Sequence, residues 1–122
     1  MKNYKDLDIY KLALDLSIRI RNKTLELPNP DKYEVGSQLR RSSQSIKDNI
    51  VEGYGRKRYK SDFIKFLVYS HASLLESTTQ CEFLHSIYPD SGWDVVLKEL
   101  DNLGGKIYRF IEYVECKWET DK

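Results

Sequence analysis

Proline, cysteine and glycine are thinly spread through this 122-residue chain, at three, two and six residues. The two cysteines, Cys81 and Cys116, are too few for a disulfide framework and match no metal-ligand spacing, so two free, mostly buried thiols are expected. No stretch approaches the roughly 20 consecutive apolar residues of a membrane span. The opening MKNYKDLDIYK mixes charge with apolar residues where a secretory signal would carry a hydrophobic segment. A cytoplasmic protein with no membrane partner is the expectation. Excess charge is missing too: 20 Lys and Arg against 19 Asp and Glu leave a net +1, which excludes a globally basic or acidic chain. The length suits one domain, 1–122, built on one shared core.

Because turn residues are scarce, the breaks they make lie far apart. Pro28-Asn29-Pro30, Gly53-Tyr54-Gly55 and Pro89-Asp90-Ser91-Gly92 divide the chain into four segments too long for strands. Apolar and small residues recur in each at steps of three and four: Ile9, Ala13, Leu16 and Ile20; then Val35, Leu39, Ser42, Ile46, Asn49 or Ile50, and Gly53. The third segment gives Phe63, Leu67, Ser70, Leu74, Ser77, Cys81 and Leu84, the fourth Trp93, Leu97, Leu100, Gly104, Ile107, Ile111 and Val114. Steps averaging about 3.5 residues keep one face toward a partner helix over many turns. Short connections make neighbours antiparallel. The pattern predicts an all-α, antiparallel up-and-down four-helix bundle with helices near 6–27, 32–54, 61–87 and 91–116.

Asp6 or Asp8, Ser61 and Ser91 are placed to cap the first, third and fourth helices, and Gly53 and Gly55 to end the second. Gly104-Gly105 falls inside the fourth helix at a cost of ~1 kcal/mol per glycine, so a close neighbour or a bend is expected there. Ser42, Ser43 and Ser45, facing Ser70, Ala72, Ser73 and Ser77, predict a tight contact between the second and third helices. Trp93 fits the core, and Trp118 falls in a polar tail.

Catalytic patterns are missing. Glu82-Phe83-Leu84-His85 has the Glu-x-x-His spacing of di-iron bundles, which need it twice; the other histidine, His71, has Val68 three residues before it. Cys81 and His85 are one helical turn apart and make half a zinc site, with only the distant Cys116 to add. Gly53-Tyr54-Gly55 follows no strand and lacks the rest of a dinucleotide or P-loop fingerprint. There is no Gly-x-Ser-x-Gly elbow. A non-enzyme with no metal and no cofactor is expected.

Charge is segregated despite its small total. Between Ser37 and Lys65 stand Arg40, Arg41, Lys47, Arg56, Lys57, Arg58, Lys60 and Lys65 against Asp48, Glu52 and Asp62, a local +5 that leaves −4 elsewhere. The densest part, Arg56-Lys57-Arg58-Tyr59-Lys60, interleaves cations with Tyr54 and Tyr59. Cations bind phosphates through counterion release and aromatic rings stack on unpaired bases. The same cations also complement the carbonyl end of a helix, and both readings stand at this point.

The stretch from Gln38 to Arg56, QLRRSSQSIKDNIVEGYGR, resembles the signature of the four-helix-bundle proteins encoded in bacterial 23S rRNA intervening sequences, Q-L-R-R-A-x-x-S-I-x-x-N-I-A-E-G-x-G-R. Leu7, Tyr10, Ala13, Leu16, Thr24 and Pro28 before it, and Phe63, Phe66, Leu67, Ser73 and Glu76 after it, are similar to the same family. Departures are Ser42, Ser43 and Val51 where alanine is common, and Glu34 where glycine is usual. The resemblance implies an up-and-down bundle, a homo-oligomer (a ring-shaped homopentamer), and a relationship to the accessory variability determinant of diversity-generating retroelements. That protein binds nucleic acid and partners a reverse transcriptase. Arg40, Arg41, Asn49, Glu52, Gly53 and Arg56 are the matching signature positions, with Asn49, Glu52 and Gly53 read as structural. Glu52 is expected to pair with Arg40, Arg41 or Arg56 across a bundle or subunit boundary. RNA or DNA is then expected at Arg40, Arg41, Lys47, Arg56, Lys57, Arg58 and Lys60; the alternative is a protein-interaction scaffold without nucleic-acid affinity.

Overall fold

The computed structural model describes residues 3–119; residues 1, 2 and 120–122 of the expected domain lie outside the described residues. A 3-10 turn, Tyr4–Asp6, leads into four helices: α1 (Asp8–Leu25), α2 (Val35–Gly55), α3 (Lys60–Ile87) and α4 (Trp93–Lys117). Each helix packs on the next and α4 closes on α1. Paired contacts run in opposite senses along the chain. Asp8 meets Lys106 while Arg19 meets Glu99, and Ser45 meets Ser73 while Ser42 meets Ser77. The fold is an antiparallel up-and-down four-helix bundle, as the periodicity predicts. None of the helices of the described chain is long and apolar enough to cross a membrane.

The apolar stripes converge on one core. Ile20, Leu39, Ile46, Ile50, Phe63, Leu67, Leu84, Trp93, Leu100, Leu103, Ile107 and Val114 are fully buried. Full burial of such a side chain stabilises by about 1.5–3 kcal/mol. On α4 the inward positions are Val96 and Leu103 together with the expected ones, while Leu97 and Ile111 pack at the flank. Trp118 is not in a free tail: it is half-buried, edge-on to Phe63 at 5.1 Å. Cys81 is buried, but Cys116 is exposed, because its position on α4 points away from the stripe.

The helix ends differ from the capping expectations. Leu7, Tyr59 and Gly92 occupy the N-cap positions of α1, α3 and α4, and none makes a side-chain capping bond. Ser61 lies inside α3, whose first turn is already closed by the Phe63 N–H donating to Tyr59 O at 3.0 Å. Ser91 instead offers its carbonyl to the Lys23 ammonium, which also stands 4.9 Å from the Trp93 ring. Gly92, at φ 82°, is the left-handed residue that turns the chain into α4. α2 begins at Val35 because residues 30–34 form turns, with the Glu34 N–H donating to Pro30 O and Gly36 N–H to Asp31 O.

The α2–α3 contact is the most extensive in the bundle, and small residues make it so. Ser70 Oγ donates to Ile46 O at 2.6 Å, Ser42 Oγ and Ser77 Oγ lie 2.8 Å apart, and Ser73 Oγ donates to Ser45 Oγ at 3.0 Å. Buried hydroxyls are tolerated here because each has a partner. Gly53 does not end α2. It is buried inside the helix, where a Cβ would stand 3.2 Å from both Phe63 O and Phe66 Cβ. Gly104 plays the same part on α4, 3.1 Å from Leu74 Cδ2.

The α1–α4 contact is the thinnest and is held by charge. Arg19 grips Glu99 through two guanidinium nitrogens and Asp15 through Nε at 2.9 Å. The hydrogen bonds from Arg19 hold the Glu99 carboxyl below its ordinary range, against a smaller opposing effect of burial.

Two predictions follow from this packing. Gly53→Ala should lower stability by about 1 kcal/mol or more, because the clash with α3 exceeds the helix-propensity gain. Gly55→Ala meets nothing within 4 Å and should leave stability unchanged or raise it by up to about 1 kcal/mol; chemical denaturation of both variants, showing equal effects, would contradict this account. The Arg19–Glu99 clamp contributes above the unfolded carboxylate pKa of about 4.3 and is lost as pH falls through the lower folded value. Glu99→Gln should therefore destabilise at pH 7, with the difference from the parent shrinking below about pH 4 in thermal melts.

Candidate nucleic-acid interface

Only Arg56–Tyr59 connects α2 to α3. The turn is closed by backbone bonds from Arg56 N–H to Gly53 O (3.0 Å), Lys57 N–H to Tyr54 O (3.1 Å) and Tyr59 N–H to Arg56 O (2.9 Å). So short a turn has no interior for long cationic side chains, and they spread over neighbouring rings. Lys57 Nζ stands 4.0 Å from the centre of the Tyr54 ring, Arg56 Cζ 4.8 Å from Phe66, Arg58 Cζ 6.0 Å from Tyr59, and Lys65 Nζ 6.0 Å from Tyr69. The negative face of an aromatic ring attracts a cation at this range.

The rings differ in availability. Tyr54, expected to be interleaved at the surface, is buried edge-on against Phe63 at 6.3 Å and serves the core. Tyr59 is 63% exposed and Tyr69 46% exposed. Tyr69 and Phe66, which packs edge-on to it at 5.4 Å, are additions that the charge pattern did not single out. Their signal was helical spacing: Lys65 and Tyr69, four apart, share a face that begins beside the basic turn.

The cations divide into paired and unpaired. Arg56 bonds Glu52 Oε1 at 3.1 Å and approaches Asp62 Oδ2 at 3.7 Å, tying the end of α2 to the first turn of α3. Within this chain Glu52 thus pairs one turn away with Arg56, the first residue of the connecting turn, and neither with Arg40 nor with Arg41. Lys57, Arg58, Lys60 and Lys65 form no ion pair among the described residues.

The other expected cations lie along the shaft of α2. Arg40 is turned inward: Nη1 donates to Thr24 Oγ1 at 2.9 Å and Nη2 to Lys32 O at 3.0 Å, joining α1, the 26–34 connection and α2. It sits 16 residues from Arg56, about 24 Å along the helix. Arg41 is exposed and donates to Ser37 Oγ at 3.0 Å. Lys47 is half-buried and paired with Asp48 at 2.7 Å. The structure therefore brings Arg56, Lys57, Arg58 and Lys60 together at one tip with Lys65, and leaves Arg40, Arg41 and Lys47 apart from them. Asn49 bonds Ser45 O at 2.9 Å and Ser45 Oγ at 3.0 Å, on the serine seam.

Among the described residues no group of three or more His, Cys, Asp or Glu is placed to hold a metal ion. Cys81 is buried, which pushes its thiol up to about 12 and keeps it protonated. His85 Nδ1 is buried without a hydrogen-bond partner. Cys116 lies in the last turn of α4, at the other end of the bundle from both.

Arg40→Gln is expected to cost about 1–3 kcal/mol, since it removes charged hydrogen bonds between three segments. It should leave any nucleic-acid affinity unchanged at temperatures where the variant is folded. Denaturation and anisotropy titrations on the same sample separate the two effects.

The family model of the 23S rRNA-intervening sequence protein matches residues 5–109. Among solved structures, a protein of unknown function from the S23 ribosomal protein family of Bacteroides thetaiotaomicron VPI-5482 superposes with a TM-score of 0.76 at 21% identity. The match covers 85% of this chain and 95% of that one. At that identity the likeness speaks for the fold alone. No curated protein matches the chain.

Proposed function

This chain belongs to the family of 23S rRNA-intervening sequence proteins, and on that premise we propose that it is a non-enzymatic, oligomeric bundle protein that binds nucleic acid through the tip joining α2 to α3. The observation that carries the reading is the set of four cations at the tip, Lys57, Arg58, Lys60 and Lys65, which have no carboxylate partner among the described residues; Arg58 and Lys65 stand beside exposed rings and Lys57 over the buried Tyr54. Cations held in ion pairs within the protein gain less from a phosphate, because an existing partner must be given up; these four give up none. Their field attracts a polyanion from a distance and releases its counterions on contact.

Self-association is supported by α3, whose solvent face sets large apolar side chains among Glu76, Thr79, Glu82 and Ser86. Val68, Leu75, Phe83 and Ile87 are exposed along it while its opposite side fills the core. Apolar side chains in such number on one exposed surface suit a protein interface. A homo-oligomer, a pentamer by family resemblance, would cover them. The same surface favours the second reading, a protein-interaction scaffold with no nucleic-acid affinity.

Anisotropy titrations of labelled RNA and DNA at two salt concentrations test the first reading. Affinity is expected to fall steeply with salt. The Lys57→Gln, Arg58→Gln, Lys60→Gln triple variant should lose most of it and reduce the log–log salt slope by roughly 2–3. Arg56 is left intact in that variant because its carboxylate pairs belong to the turn itself. Absence of binding at low salt by the folded parent protein would leave the scaffold reading, with light scattering reporting the oligomer.

A further inference from the structure

Tyr59 and Tyr69 are the feature of the tip that charge alone does not explain. Both residues are exposed, by 63% and 46%, although burying a tyrosine ring is favourable and the core lies one turn away. Each has a cation at its side, Arg58 by Tyr59 and Lys65 by Tyr69, both 6.0 Å from the ring centre. The carboxylates that flank Tyr59 in sequence, Glu52 and Asp62, are turned onto Arg56. Phe66, between the two tyrosines, has Arg56 over it and packs edge-on to Tyr69, which fixes the Tyr69 ring without covering it.

Resting on the nucleic-acid reading above, we infer that the ligand of this tip is an unpaired strand, with bases stacked on Tyr59 and Tyr69 and its phosphates met by Arg58, Lys60 and Lys65. A duplex keeps its bases stacked and paired, so it presents only phosphates to a protruding turn, and exposed rings contribute nothing to holding it. A single strand presents base faces and phosphates together, which an alternation of rings and cations matches. Ten residues separate the rings, about 15 Å along the helix axis. They therefore take different nucleotides of one strand. Stacking on an aromatic ring is tolerant of base identity, so affinity should depend little on sequence.

The test compares three labelled probes of equal length: a single-stranded oligonucleotide, the same strand with abasic sites throughout, and the duplex. The abasic strand keeps the phosphates and removes the stacking partners. Binding of the base-bearing strand should exceed that of the abasic strand by at least about fivefold. Tyr59→Ala and Tyr69→Ala should each erase a comparable factor for the base-bearing strand and none for the abasic one. Tyr59→Phe should retain the affinity, which separates the ring from the hydroxyl. Both tyrosines are exposed, and thermal melts verify that the variants are folded. Equal affinity for base-bearing and abasic strands, or preference for the duplex, overturns the stacking inference and leaves the phosphate-binding reading standing. No binding of any probe at low salt overturns both.

Discussion

The close approach of α2 to α3 is the constraint on which the rest of this bundle depends. Serines and a glycine line that seam where leucines would hold the helices further apart, and interaxial distance follows the size of the contact side chains. The hydroxyls that result are buried, so they must find partners. They do so across the seam, from Ser70 to Ile46 O and between Ser42 and Ser77. The Ser70 bond fixes register as well as distance, since a slip of one residue would take its buried hydroxyl from Ile46 O, whereas Ser42 and Ser77 also bond carbonyls of their own helices. The seam is therefore both narrow and specific.

The consequence reaches the tip. Two helices this close need only Arg56–Tyr59 to reverse the chain, and Gly53 lets the last turns of α2 lie against the Phe63 carbonyl. A four-residue turn containing three consecutive cations cannot fold them inward. Arg56 is retained by Glu52 and Asp62, which brace the turn, and the others project. The basic tip is thus a product of the serine seam: the same packing that excludes large side chains from the interface displaces charge to its end. At the opposite edge of the bundle, between α1 and α4, the contact is thinner, and Arg19 with Glu99 and Lys106 with Asp8 bridge it.

The fold was legible because it depends on spacing. Steps of three and four place Phe63, Leu67, Ser70 and Leu74 inward whatever the partners are, and the serine run announced a narrow seam before any contact was known. The site was legible only in outline, because charge in a sequence does not reveal what each cation touches. Arg40 and Arg41 are neighbours in the chain and part company in space: 100° of helical rotation sends the first to Thr24 and Lys32 and the second to solvent. Tyr54 and Tyr59 looked alike on either side of the cations, yet one is a core ring and the other a surface ring. Gly53 was read as a helix end from its place beside Gly55, when its function is close approach. Cap positions failed for a related reason. Ser61 and Ser91 are good caps by chemistry, but tertiary contacts set where α3 and α4 begin, and Lys23 supplies the polar partner at the start of α4.

α3 carries two surfaces that do not compete. Its first turns, from Tyr59 to Tyr69, bear rings and cations; farther along, Leu75, Phe83 and Ile87 bear apolar surface. On a helix of 28 residues, about 42 Å long, these regions are separated mostly along the axis and little around it. A second copy seated on the apolar stretch would leave the tip free. Copies arranged about a closed symmetry axis would repeat the tip at fixed spacing. A weak contact by one tip becomes a strong one when a strand is long enough to meet two, because the second contact is made at high effective concentration. The modest charge of a single tip is therefore no argument against the proposed function: in an assembly, the spacing of tips would set affinity as much as the residues of each.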